Sequence, residues 1–198
     1  MPKLLYQDHG SFRLTTNDGR VIFVDPFKGV GYEKPADLIL VTHQHGDHNQ
    51  LDLITKKDSC TVISNFEALA GGKHNNFSIL GIFIEAVEAG YNENHSIEDC
   101  VGFLVTVDGL QLYFSGDTST TKQMSTFKER NLDYVFLCGD GFYNMDLVEA
   151  AECAKIIGGK HNTPVHMKPG ELFDLAMAQS FEAPNRLIIE DGEELELG

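Results

Sequence analysis

Three histidines and an aspartate, His43, His45, Asp47 and His48, fall within six positions of the stretch "LILVTHQHGDHNQ". The chain has eight histidines in all, and a solvated loop has no need of imidazoles at this spacing. Side chains two apart in an extended segment point to the same side, so His43 and His45 can grip one ion together. Gly46 lets the backbone turn, and Asp47 and His48 can then face a second ion a short distance away. The mixture of imidazole and carboxylate suits zinc best, with iron or manganese as alternatives.

What stands at the ends of the apolar runs extends this signal. "VIFV" leads into Asp25, "LILVT" into His43, "LYFSG" into Asp117, "YVFLCG" into Asp140 and "TPV" into His166. Ligands of α/β proteins commonly bind outside the carboxyl ends of strands. Five runs closing on His or Asp therefore bring metal-competent side chains to one rim.

The elements that must carry this rim are short and rich in β-forming residues. "FRLTTNDGRVIFVDP" reads as a hairpin turning at Asn17-Asp18-Gly19, and "VGFLVTVDGLQLYFSGD" as a second turning at Asp108-Gly109. Between and after them "LILVTH", "TVISN", "ILGIFIEAVEA", "YVFLCGD", "TPVH" and "NRLIIED" read as strands. The clearest helix is "DLVEAAECAKIIGG", with Asp146 as cap, Glu149 completing a variant capping box and Gly158-Gly159 as the stop. Helices are also expected over 49–54, 120–130 and 171–180. Each half opens with a long hairpin and continues as strands alternating with helices. No Pro/Ser-rich linker intervenes, so residues 1–198 are read as one domain of two similar halves.

Composition narrows the class. With 198 residues and 42% hydrophobic content the chain can bury a sizeable core. No apolar run approaches the roughly 18 residues of a membrane span, and the start, "MPKLLYQDHGSFRL", does not read as a signal peptide; the cytoplasm is the expected compartment. Cys60, Cys100, Cys138 and Cys153 show no CxxC pairing and read as reduced, mostly buried thiols. Thirty acidic residues against fifteen basic ones give a formal charge of −15, which disfavours a nucleic-acid partner. A small-molecule substrate, with or without self-association, is the expected partner.

The stretch "THQHGDH" resembles the HxHxDH hallmark of the metallo-β-lactamase fold superfamily, and the resemblance extends over most of the chain. It implies an α/β (α+β) fold, a four-layer αββα sandwich with a dinuclear metal site on its rim. It also implies a later histidine, a bridging aspartate and a last histidine. His95 in "AGYNENHS", Asp117 in "SGDT" and His166 in "TPVHMKPG" meet that order. By this resemblance His43, His45 and His95 hold one ion, Asp47, His48 and His166 the other, and Asp117 bridges the two. Asp25 in "VDP" matches an aspartate that the family places behind the metal histidines, where a carboxylate orients an imidazole. More locally the chain is similar to the small hydrolases of the L-ascorbate-6-phosphate lactonase group. Their GHxS-like element appears here as "DHGS", with Asp8 standing where that element has glycine and His9 following it. His74 and His161, in "GGKHNN" and "GGKHNT", read as surface histidines; Cys138 and Asp140 read as strand-end residues, and Lys168 as a solvated one.

Two cations bridged by a carboxylate hold a water between them and lower its pKa toward neutrality. The expected activity is therefore metal-dependent hydrolysis, by hydroxide held between two divalent ions, of a small phosphorylated, lactone or ester substrate. Asp47 would orient the water or accept its proton as well as ligate. A phosphodiesterase or nuclease of the same fold is the alternative within the superfamily, and a non-catalytic protein that retains its metals is the alternative outside catalysis. True β-lactamase activity is disfavoured because Asp117 stands where the commonest such enzymes carry cysteine.

Overall fold

Strand formation follows the residue pattern closely. In the computed structural model, which describes residues 1–168 and 173–198, twelve strands form. They are β1 (Lys3–Asp8), β2 (Ser11–Thr15), β3 (Val21–Val24), β4 (Ala36–Val41), β5 (Lys56–Ser64) and β6 (Asn76–Ile79). After these come β7 (Ile82–Glu88), β8 (Val101–Val107), β9 (Leu110–Phe114), β10 (Tyr134–Cys138), β11 (His161–Val165) and β12 (Glu194–Glu196). The three α-helices are α1 (Asn65–Ala68), α2 (Leu147–Ile157) and α3 (Leu175–Ser180).

One sheet runs β12-β1-β2-β3-β4-β5 and the other β11-β10-β9-β8-β7-β6. In the first, β1, β2 and β3 pair antiparallel, then β4 and β5 add in parallel. In the second, β7, β8 and β9 pair antiparallel, then β10 and β11 add in parallel. Parallel strands are covered on both faces, which is why "ADLILV" of β4 and "YVFLC" of β10 are buried throughout. Asp108 and Gly109, at φ 50° and 84°, close the β8–β9 hairpin in left-handed backbone.

The sheets pack face to face over a core that includes Leu14, Ile22, Leu40, Phe103 and Leu112. Phe12, Phe114 and Phe136 meet with centroids 4.6–5.2 Å apart and form an aromatic floor below one end of the strands. On the outer face of the second sheet, Ala150, Cys153, Ala154 and Ile157 of α2 pack with Tyr113, Val135, Met124 and Phe127. The outer face of the first sheet is covered by Tyr32, Leu51 and Ile54 over Phe23, Ile39 and Val41. The layers follow the αββα order, with the outer layer on the first sheet reduced to loop and a single 3-10 turn.

Several local readings are corrected. The helix expected over 49–54 shrinks to a 3-10 turn, Leu51–Leu53, and that over 120–130 forms as a 3-10 helix, Gln123–Arg130. Of the helix expected over 171–180 only Leu175–Ser180 forms; residues 171 and 172 lie outside the described residues. "ILGIFIEAVEA" is not one strand, because Leu80 and Gly81 at φ 53° and 77° fold it into the β6–β7 hairpin. "NRLIIED" contributes only an isolated bridge from Arg186 to Asn162. Asp146 caps α2 by accepting from Glu149 N, but the Glu149 carboxylate turns away to accept from Thr120, so the box does not close. Among the described residues no helix is long and apolar enough to cross a membrane.

Candidate metal centre

The carboxyl ends of β3, β4, β9, β10 and β11 all open onto the same rim. They deliver Asp25, His43, Asp117, Asp140 and His166, and the loops after β4 and β7 add His45, Asp47, His48 and His95. Backbone strain concentrates here. Asp8, His9, Asp25 and His166 take φ of 145°, 55°, 45° and 47°, conformations that favour glycine and persist only where surroundings hold them.

All seven residues singled out as ligands come together. His43, His45 and His95 form one group with ligand atoms within 4.8 Å of one another, and Asp47, His48 and His166 form another, with His9. Asp117 stands between the groups. One of its oxygens is 3.3 Å from His48 Nε2; the other is 3.3 Å from both His95 Nε2 and His166 Nε2, and 3.9 Å from His43 Nε2. His45 Nδ1 and His95 Nε2 face each other at 3.2 Å.

Second contacts fix these rings. Asp25 Oδ2 lies 2.9 Å from His48 Nδ1 and accepts from Thr42 Oγ1 at 2.6 Å, while Asp25 Oδ1 accepts from Thr42 N at 2.7 Å. Thr42 Oγ1 in turn lies 3.1 Å from His43 Nδ1. Asp140 Oδ2 is 3.1 Å from His166 Nδ1, and Asp140 Oδ1 accepts from the backbone of Phe142, Tyr143 and Asn144. Asn144 Nδ2 donates to Asp117 Oδ2 and Asp140 Oδ2 at 2.9 and 2.8 Å. Asn92 Oδ1 accepts from His95 N at 2.9 Å and holds the loop that carries this histidine.

Buried polar atoms nearly always find partners, yet Nε2 of His43, His48 and His166 and Oδ1 of Asp117 are among those at this centre that form no hydrogen bond. They converge on one another, as ligand atoms do around a cation. The electrostatics agree. Burial alone would raise Asp117, but His166 and His48 beside it hold it well below the usual carboxylate range. Burial opposes charge on His166 too, and Asp117 and Asp140 outweigh it, lifting that imidazole to about 9. Burial, with His48 adjacent, pushes His43 down to about 2, so it is a neutral imidazole with a lone pair to give. The buried carboxylate requires positive charge beside it; protonated histidines are one source and a divalent ion is another. The donor set of imidazoles and carboxylates fits such an ion.

Three residues at the centre carry more than the sequence reading gave them. Asp140 contacts His166 rather than merely ending a strand, Asn144 bonds to the central Asp117, and His9 reaches Asp47 at 3.2 Å. The placement of Asp140 directly after β10 was the available signal; Asn144 had none. His74 is exposed, and His161 stacks on Tyr134 at the opposite end of β11 from His166. Lys168 Nζ lies 3.8 Å from Asp174. Cys138 is buried, its Sγ turned to Thr118 O at 3.4 Å.

Two clefts open beside the cluster, of about 480 and about 460 Å³, and both are lined by His45, Asn94 and His95. His45 is exposed and Asp47 half-buried, whereas His43, His48, His95, Asp117 and His166 are buried, so access is from the His45 and Asp47 side.

Fold and centre together define the class: the chain belongs to the β-lactamase superfamily, whose domain matches residues 3–166. A UPF0173 metal-dependent hydrolase of Geobacillus sp. (strain WCH70) is 31% identical over 197 residues, covering 83% of this chain and 84% of that protein. One from Thermococcus kodakarensis is 27% identical over 230 residues and spans both chains entirely. This chain is a member of that metal-dependent hydrolase family. A crystal structure from Parabacteroides distasonis, assigned as a metal-dependent hydrolase, superposes with a TM-score of 0.78 at 28% identity, covering 94% of this chain and 92% of its own.

Proposed function

We propose that this chain hydrolyses a small-molecule ester or lactone, or a phosphodiester, at a centre for two divalent ions. His43, His45 and His95 would hold one ion, Asp47, His48 and His166 the other, and Asp117 would bridge them. Zinc suits these donors best, with manganese or iron as alternatives. Divalent ions bound there would supply Lewis acidity and bring the pKa of water toward neutrality. The observation that carries this reading is that the buried, unbonded Nε2 atoms of His43, His48 and His166 surround Asp117, which lies within 3.9 Å of four histidines.

The chain's own residues divide the remaining work. Asp25 and Asp140 orient His48 and His166 so that Nε2 points inward. Asp47 is the half-exposed carboxylate at the entrance; held below the usual range by His9 against the effect of burial, it is ionised and able to orient a water or accept its proton. Clefts of this size match a small molecule better than a polymer.

The test is metal content and turnover of a generic phosphodiester and a simple lactone, on wild type and Asp117→Ala together. Near two ions per chain, with metal and turnover falling together in the variant, is the expected result. Failure to bind metal after reconstitution would overturn the reading. Full metal with no turnover of any ester or phosphodiester would favour a binding protein instead.

A further inference from the structure

His9 is almost fully buried, and the backbone that carries it is unusual. Asp8 and His9 take φ of 145° and 55° in succession, and the β1–β2 register shifts between Tyr6 and Asp8. Four hydrogen bonds secure this kink. The Asp8 carboxylate accepts from His9 N at 2.6 Å and from Phe173 N at 2.8 Å, while His9 O accepts from Tyr6 Oη at 2.8 Å and His166 N at 2.9 Å. Asp8 thus occupies a conformation natural to glycine, and its own side chain ties down what its backbone strains. Gly10 completes the close approach: a Cβ there would come within 3.3 Å of His48 Cε1.

The result of this scaffolding is a ring placed against two residues of the second group. His9 Nε2 lies 3.2 Å from Asp47 Oδ2, and its ring centroid is 3.6 Å from that of His166. The histidines grouped around the other position meet differently, with centroids 4.6–5.1 Å apart. His9 packs closer on His166, its ring tilted by 41°. With its Nε2 against the Asp47 carboxylate, His9 is placed to support that side chain.

We infer that His9 is a positioning residue of the second metal position, donating Nε2–H to Asp47 Oδ2 and packing against His166. This rests on the two-metal reading above. Asp47 is the half-exposed member of its group, and the bond from His9 selects one rotamer of it.

The experiment measures zinc stoichiometry and stepwise affinity of the full chain by competition with a chromophoric chelator, for wild type, His9→Ala and His9→Gln. Cobalt-substituted spectra are recorded on the same proteins. Loss of a supporting contact of this kind typically costs about 10–100-fold in metal affinity. The expected result is a loss of that size for the second ion alone in His9→Ala. In His9→Gln, whose amide restores a donor, recovery to within a few-fold and an unchanged cobalt spectrum are expected. Unchanged affinity in His9→Ala would overturn the inference. So would loss of the second ion in both variants with an altered cobalt spectrum, which would make His9 a ligand. If His9→Ala fails to fold, recovery or loss in His9→Gln still decides. Wild type that takes up only one ion would overturn the two-metal reading itself, and is told apart because it shows without any substitution.

Discussion

Asp25 and His48, 23 positions apart in the chain, meet at 2.9 Å in the buried wall between β3 and the loop after β4. The same carboxylate holds Thr42, and through it His43, so one side chain orients a histidine of each group. Asp25→Asn keeps the shape but removes the acceptor charge that favours the Nδ1–H tautomer of His48. Metal affinity should fall by about 10–100-fold with the far-ultraviolet circular dichroism unchanged. Chelator competition reads the first and the spectrum the second; undiminished affinity would show that Asp25 merely ends a strand.

Asn144 sits between two buried carboxylates and donates to both. Asn144→Ala leaves each carboxylate a donor short, at a cost of about 1–3 kcal/mol. For a chain of this size that lowers the melting temperature by about 2–4 °C per kcal/mol. Asn144→Asp should be worse in metal-free protein, because it adds a third carboxylate beside Asp117 and Asp140, and saturating divalent metal should recover part of the loss. Thermal melts of both variants with and without metal check this; equal melting of Asn144→Asp and wild type without metal would contradict it.

The core between the sheets is packed from apolar side chains, among them Leu14, Ile22, Phe103 and Leu112. Chelation should therefore abolish turnover and lower the melting temperature while leaving the secondary-structure spectrum in place. Global unfolding on chelation at room temperature would instead assign the metals a structural role.

None of the thiols is expected to act as a nucleophile. Cys100, Cys138 and Cys153 are buried and Cys60 is partly so. Burial, reinforced by Asp117, pushes Cys100 up to about 12 and raises Cys138 well above its ordinary value. At pH 8 a disulfide reagent should label one thiol of the native protein slowly, and Cys60→Ser should remove that reaction. All four thiols should appear in denaturant. Rapid labelling of a second thiol in the native protein would bring Cys100 or Cys138 back as a reactive group.

Much of this protein is legible in the chain alone. The spacing of "THQHGDH" brings four donors together because neighbours in one segment cannot be far apart, and Gly19, Asp108 and Gly109 turn hairpins because those residues tolerate left-handed angles. Apolar runs ending in Asp25, His43, Asp117, Asp140 and His166 place chemistry at strand ends whatever the sheets do. The tertiary structure decided the remainder. Whether His95 faces His45, which carboxylate backs which imidazole, that Asn144 reaches Asp117 and that His9 reaches Asp47 all depend on how two sheets stack and how their end loops meet. Those contacts join residues 23 to 50 positions apart. Local propensity carries no information across such distances; the packing of Phe12 against Phe114 and Phe136, which brings the ends of the two sheets together, does.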